Sequence, residues 1–351
     1  NELTANGVFF NRCFTPHFST ARGMFATLTG IPDVQRSKFS TRNVEALDQH
    51  TIINNFEEYN KLYFLGGSSE FNNYRGLVYN INQVKIHEEG SFHSPKVNVW
   101  GISDKDLFLE ANSVFRQQDK PFFAIIQTAG NHRPYTIPLN DHDFTVKTLP
   151  QDTLVKYGFL SNEEYNAMRY FDYSFRHFME AAKKEPYFHN TVFVFVGDHG
   201  IAGNAKQMYP DVWTSARLSD EHVPLLFYAP SLLTPQYRTE VVSQIDVLPT
   251  IAGLVHQRYV NTTLGRDLLN PSKRNNAAFV IYHDEEKLGW ITDSFYYVKS
   301  LRFDEEKLYP MNSNRSPWTQ EQEEKMKRRA SVMSSAFYET AKWMLVNNHK
   351  K

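Results

Sequence analysis

Cysteine is almost absent from this sequence: Cys13 stands alone in 351 residues, which excludes an intrachain disulfide and a cysteine-rich zinc site. An excess of either charge is also missing. Lys and Arg number 38 against 39 Asp and Glu, for a net charge of −1, so the basic bias of a nucleic-acid-binding chain is lacking and nucleic acid is not an expected partner. No apolar run reaches the roughly 18 residues that mark a membrane span, and the first residues carry no charged-then-apolar leader pattern. Internal repeats and low-complexity tracts do not occur. The length fits two domains or one large α/β domain.

Among what is present, the tetrapeptide Gly197-Asp198-His199-Gly200 directly follows the apolar, β-branched run 191–196. That run has the length and Val/Phe content of a strand buried on both faces, as in a parallel sheet, and open α/β sheets place ligands beyond the carboxyl ends of such strands. A carboxylate and an imidazole leaving a strand together suit a divalent metal, and flanking glycines let the backbone come close. A tight turn that merely caps a helix is the plain alternative.

Residues 122–126 and 223–228 read as further strands with polar or turn-forming exits. Between the first of these and the Asp198 strand, Tyr165, Met168, Phe171, Phe175, Phe178 and Ala182 recur at three-to-four spacing, which predicts an amphipathic crossover helix over 162–184. Strand, helix and strand in this order predict a parallel unit and an α/β fold. A short helix is expected over 245–254, and strands over 278–282 and 294–298 as a smaller antiparallel C-terminal layer. Over 319–347, Met326, Ala330, Met333, Phe337, Ala341 and Met344 share one face of a docked helix, and the mixed charges of 321–329 make a solvated face. Residues 68–97, rich in Asn, Gly, Ser and His, lack periodicity and read as a substrate-side loop.

Segment 18–30 is the second informative stretch. A hydroxyl residue opens a short helix with Met24, Phe25 and Leu28 towards the core, and Gly30 ends it. A Thr at a helix N-terminus meets unpaired backbone N–H groups and the positive end of the helix dipole, which favour an alkoxide or a phosphate. Simple capping is again the alternative.

Together the two segments resemble the alkaline phosphatase and sulfatase superfamily. In sulfatases the catalytic Cys or Ser lies nine residues before the Thr of a Leu-Thr-Gly motif, within a Cys-x-Pro-x-Arg signature. Counting nine back from Thr29 gives Thr20; Cys13 lies seven residues too early, and Arg22 and Met24 stand in place of the signature's Pro and Arg. A formylglycine sulfatase is therefore disfavoured. The pattern is similar instead to phosphoglycerol transferases of the lipoteichoic acid synthase type. Gly66-Gly67-Ser68-Ser69-Glu70-Phe71, Trp100-Gly101-Ile102-Ser103-Asp104, Asn131-His132-Arg133-Pro134-Tyr135, Val223-Pro224-Leu225, Asp246-Val247-Leu248-Pro249-Thr250 and Gly265-Arg266-Asp267-Leu268 match it in order.

The resemblance implies a mostly parallel central sheet flanked by helices, with residues 1–270 as the catalytic domain and 271–351 as a C-terminal subdomain carrying the small sheet and long helix. It implies Thr20 as nucleophile and metal ligand, passing through a covalent phosphothreonine, with Asp198 and His199 as further ligands of one divalent ion. Mn²⁺ or Mg²⁺ suits that donor set, and Zn²⁺ accepts it. One more acidic ligand, usually Glu, is expected on the domain's first strand; nothing in the 19 residues before Thr20 supplies it, so it is expected upstream of Asn1. His132 would contact a phosphate oxygen or protonate the leaving alcohol, and Trp100 would flank the head group. The substrate would be a phospholipid head group, of phosphoglycerol or phosphoethanolamine type, or another phosphate or sulfate ester. The location would be extracytoplasmic, with a membrane anchor in a region absent from this chain. A hydrolase on the same scaffold and an inactive relative are the other readings. Ile102 replaces a basic residue of some glycerol-transferring relatives, which leaves the head group open.

Overall fold

The computed structural model describes residues 2–36, 38–270, 276–312 and 317–350. They fall into two compact units, Asn1–Asn55 with Val192–Lys351, and Phe56–Thr191. In chain order the strands are β1 (Val8–Phe14), β2 (Asn60–Leu65), β3 (Lys85–His87), β4 (Phe122–Gln127), β5 (Phe193–Val196), β6 (His222–Tyr228), β7 (Gln236–Arg238), β8 (Val242–Ser243), β9 (Ala277–Tyr282), β10 (Lys287–Thr292), β11 (Phe295–Ser300) and β12 (Glu306–Pro310). No described helix is long and apolar enough to cross a membrane.

The first unit holds a five-stranded sheet in the order β5-β6-β1-β7, with β8 also paired to β1. It is mixed: β6 runs antiparallel to both β5 and β1, whereas β7 and β8 run parallel to β1. Val8, Phe10 and Cys13 of β1 pack with Val223, Leu225 and Phe227 of β6 and with Val247 and Leu268 in one buried cluster. The β1–β6 register shifts between Phe10 and Cys13, a bulge that adds a residue to β1 and turns the strand exit. That exit leads to Thr20.

A four-stranded antiparallel sheet, β12-β11-β10-β9, follows in the same unit. The Gln320–Asn347 helix buries Ala330, Ser334, Tyr338, Ala341, Met344 and Leu345. The expected C-terminal layer and long helix are thus present.

The second unit is built on the parallel sheet β3-β2-β4. Its Asn162–Ala182 helix packs Phe171, Phe175 and Phe178 around Phe108 of the Asp104–Phe115 helix. Met168, expected on the apolar face, is 37% exposed, because the stripe through Ala167, Tyr170, Ser174 and Phe178 is the one buried.

The α/β class holds, but three finer expectations do not. β4 pairs with β2 and β5 with β6, so among the described residues these two strands do not form one parallel pair. β5 is also not buried on both faces: only Phe193 is buried, and Val194, Phe195 and Val196 are half-buried, because β5 ends its sheet. Residues 68–97 are not simply a loop, since they contain the Tyr74–Val78 helix and β3.

Asp104 shows how the second unit positions a loop. Its side chain is buried, and Oδ1 accepts the N–H groups of Ala129 and Gly130, both at 3.1 Å. This pins the exit of β4 just before Asn131 and His132. Burial, opposed by these two N–H groups, raises the Asp104 pKa from 3.8 to about 6. A raised native pKa means that the native state keeps its proton while the unfolded chain loses it. The stability contribution is therefore complete below pH 3.8 and is lost as pH rises to about 6. At about 1.4 kcal/mol per unit, that loss is on the order of 3 kcal/mol. The penalty of Asp104→Asn should accordingly be largest near pH 4 and smaller by that amount at pH 7; chemical denaturation of both proteins at the two pH values measures it, and a constant penalty would contradict the assignment.

Candidate active site

The Thr20–Thr29 helix starts where the β1 exit loop ends. Ser19, not Thr20, is its N-cap residue, and no side chain caps it. Thr20 is therefore the first helical residue, with its hydroxyl unused by capping. At the other end Gly30 adopts φ 66° and its N–H returns to the Ala26 carbonyl, as a left-handed C-cap requires. Phe25 and Leu28 are buried, as expected; Met24 is only half-buried.

Thr20 meets the turn that follows β5. Its Oγ1 lies 3.4 Å from Nε2 of His199, and that same Nε2 lies 3.5 Å from Oδ2 of Asp198. His199 Nδ1 is 2.7 Å from the Gly200 carbonyl oxygen. Because a carbonyl only accepts, Nδ1 carries a proton and donates it to Gly200, and Nε2 faces Thr20 and Asp198. Phe18 packs edge-on against the imidazole at 4.6 Å between ring centres.

This approach depends on Gly23. A Cβ there would sit 2.4 Å from the Asp198 carbonyl oxygen, well inside contact distance, so the first turn of the helix rests on the backbone of the β5 turn. Gln244, fully buried, fastens the two segments from below. Its Nε2 donates to the carbonyls of Gly197 (2.8 Å) and Asp198 (3.1 Å), and its Oε1 accepts the Thr15 hydroxyl at 2.9 Å. The expected helix beginning near Asp246 is there as Val247–Leu254, preceded by a single turn, Gln244–Asp246.

Arg22 does not point at Thr20. Its Nη1 donates to the carbonyls of Asp33 (3.1 Å) and Gln35 (2.7 Å) and to Nε2 of His283, and it lies 3.8 Å from the Asp33 carboxylate. His283 in turn contacts His17, with ring centres 4.2 Å apart. Burial, then the nearby His283, Arg22, His199 and Arg217, drive the His17 pKa far below the ordinary imidazole range. Burial and Arg22 lower His283 to about 3. Both imidazoles are neutral at physiological pH.

Beneath the same loop Glu221 is fully buried, and its carbonyl oxygen accepts the Thr15 N–H at 2.8 Å. Burial, then Asp220, push its pKa well above the usual carboxylate range, opposed by Arg217 and by the Phe18 backbone N–H. Gln244 and Glu221 escaped sequence reading. Each acts by touching backbone from a distant segment, which leaves no local spacing to detect. His222, at the start of β6, is occupied structurally: Nε2 donates to the Asn11 carbonyl at 2.8 Å, and the ring packs among Phe14, Tyr209 and Trp213.

In the second unit Trp100 and His132 are in contact, ring centres 4.1 Å apart. Trp100 Nε1 (2.6 Å) and His132 Nδ1 (2.9 Å) both donate to the Arg133 carbonyl, which leaves His132 Nε2 free. Phe71, unanticipated as a neighbour, stands edge-on to Trp100 at 5.1 Å and is 47% exposed.

Thr20 Oγ1, an Asp198 oxygen and His199 Nε2 form a hard, oxygen-rich donor set whose imidazole is held by a backbone carbonyl, an arrangement that fits a divalent ion. Among the described residues no group of three or more His, Cys, Asp or Glu side chains is placed to hold a metal.

A family model described as Sulfatase matches residues 1–257. The chain belongs to the Sulfatase family. Lipoteichoic acid synthase 1 of Bacillus subtilis is 24% identical over 265 residues, which cover 72% of this chain and 40% of that protein; the chain thus spans less than half the length of this relative. Among solved structures, a protein of the alkaline phosphatase superfamily from Vibrio parahaemolyticus aligns with a TM-score of 0.80 at 24% identity, covering 100% of this chain and 82% of that one. The lipoteichoic acid synthase LtaP from Listeria monocytogenes also gives a TM-score of 0.80, at 18% identity, over 99% of this chain and 85% of its own. These likenesses agree in fold with the α/β architecture described above.

In this Sulfatase-family chain Gly23→Ala is expected to push the helix off the β5 turn and destabilise the protein by about 1–3 kcal/mol, the usual range for overpacking. Thermal unfolding measures that loss. A variant with wild-type stability would refute the close approach.

Proposed function

We propose that the protein is a metal-dependent phosphotransferase that moves a phosphoglycerol-type or phosphoethanolamine-type head group through a covalent phosphothreonine at Thr20. The observation that carries this reading is the convergence of an uncapped Thr20 hydroxyl with His199 and Asp198 at the end of a strand, in a chain of the Sulfatase family. Similarity to a lipoteichoic acid synthase supports the phosphoester class.

Thr20, Asp198 and His199 would hold one divalent ion, Mn²⁺ or Mg²⁺ by the oxygen-rich donor set, with Zn²⁺ also compatible. When bound, the ion supplies a Lewis acid that lowers the hydroxyl pKa and offsets charge on the phosphate oxygens. Thr20 Oγ1, freed of its proton, forms a bond to phosphorus as the bond to the leaving alcohol oxygen breaks, and that alcohol leaves with a proton. An acceptor alcohol then takes the phosphoryl group and restores the Thr20 hydroxyl. His132 Nε2 is suited to contact a phosphate oxygen or to protonate the leaving alcohol, and Trp100 to flank the head group. A phospholipid donor and an extracytoplasmic, membrane-associated location belong to the same reading.

Incubation with candidate phospholipids followed by mass spectrometry should reveal a phosphoglycerol or phosphoethanolamine adduct on Thr20, and Thr20→Ala should abolish turnover of a generic phosphodiester by the manganese-loaded protein. Undiminished turnover by Thr20→Ala would reject Thr20 as nucleophile. Ester cleavage without any adduct would favour a hydrolase.

A further inference from the structure

Within the Phe56–Thr191 unit a cleft of about 460 Å³ opens against the Asn162–Ala182 helix, beside residues 143–145 and 159. Its walls are aromatic. Phe159 and Tyr165 meet edge-on at 5.4 Å, and Phe144 supplies a third ring. The Arg169 guanidinium lies over Phe144 at 5.1 Å and Tyr165 at 5.7 Å, while its Nη1 donates to the Thr145 carbonyl (2.8 Å) and to Asn166 Oδ1 (2.9 Å). That planar donor is fixed in place before any ligand arrives.

Three charged side chains of the lining are uncommitted. The side chains of Asp143, Asp172 and Arg176 form no hydrogen bond or ion pair with another described residue. Two carboxylates and two guanidinium groups give the lining no net charge. An anion would face Asp143 and Asp172, and a cation would face Arg169 and Arg176, so neither sign of ligand is favoured. A neutral ligand rich in hydroxyl groups suits both: carboxylates accept from its O–H groups, guanidinium N–H groups donate to its oxygens, and aromatic faces cover its C–H surface. We propose that this cleft is a carbohydrate subsite that seats one neutral hexopyranose ring on Tyr165 and Phe159. Met168, also in the lining, accepts a contact from Asn131 Nδ2 at 3.8 Å, so the subsite borders the loop that carries His132. It does not depend on the chemistry assigned to Thr20.

Saturation-transfer NMR on the whole chain carrying Thr20→Ala tests this independently of phosphoryl transfer, with methyl glucopyranoside, methyl galactopyranoside and N-acetylglucosamine as probes. At least one probe should receive saturation at its ring C–H protons, with a dissociation constant on the order of millimolar, typical of a single small-ligand contact. Tyr165→Ala should weaken that binding roughly tenfold through the lost ring face. Asp172→Asn, an exposed and nearly isosteric change, should weaken it by roughly threefold or more through a lost acceptor and keeps the test valid if Tyr165→Ala fails to fold. No transfer to any probe, or transfer indifferent to the substitutions, would overturn the proposal. So would displacement of the bound hexoside by glycerol phosphate at concentrations where glycerol has no effect, which would mark an anion site.

Discussion

The candidate site exists because a helix turn and a strand-exit turn touch without a side chain between them. Gly23 rests against the Asp198 carbonyl at a separation that admits no Cβ. A methyl group there would push Thr20, one turn of chain away, off the reach of His199. The bulge in β1 sets the direction of approach, Gly23 its distance, and the Gly200 carbonyl the orientation of the imidazole. Three backbone features thus bring Thr20, Asp198 and His199 together.

Around this contact, burial shifts the titration of one carboxyl group and two imidazoles. Arg22, buried in the first turn of the Thr20 helix, is compensated by Asp33 and two carbonyls rather than left facing the hydroxyl beside it. His17 and His283 lose their protons to burial and to that same arginine. Burial raises the pKa of Glu221 well above the usual carboxylate range. The side chains of Asp198 and His199 are 38% and 28% exposed, so a ligand can reach both.

Much of this was legible in the sequence. The run ending at Gly197-Asp198-His199-Gly200 announced a strand exit, and Leu28-Thr29-Gly30 marked the end of the helix that Thr20 begins, because apolar periodicity and glycine punctuation are local signals. The partner of β5 was not legible. Whether a short apolar strand pairs with the strand before it or with one that returns antiparallel depends on segments tens of residues away, and the Val/Phe content of β5 suits either. Gln244 and Glu221 were missed for a related reason: a buried amide that serves backbone carbonyls has no spacing of its own. Phe71 lay inside a recognised motif, yet only the fold shows its ring against Trp100.

The shared acceptor in the second unit has an evolutionary consequence. Indole and imidazole both take their bearings from the carbonyl of Arg133, an atom that every amino acid supplies. The side chain at position 133 is thus free to vary without disturbing either ring, whereas a shift of the main chain there would reorient both at once. Divergence of this surface between related chains is accordingly expected to proceed by remodelling the loop as a whole, in steps that change two contacts together.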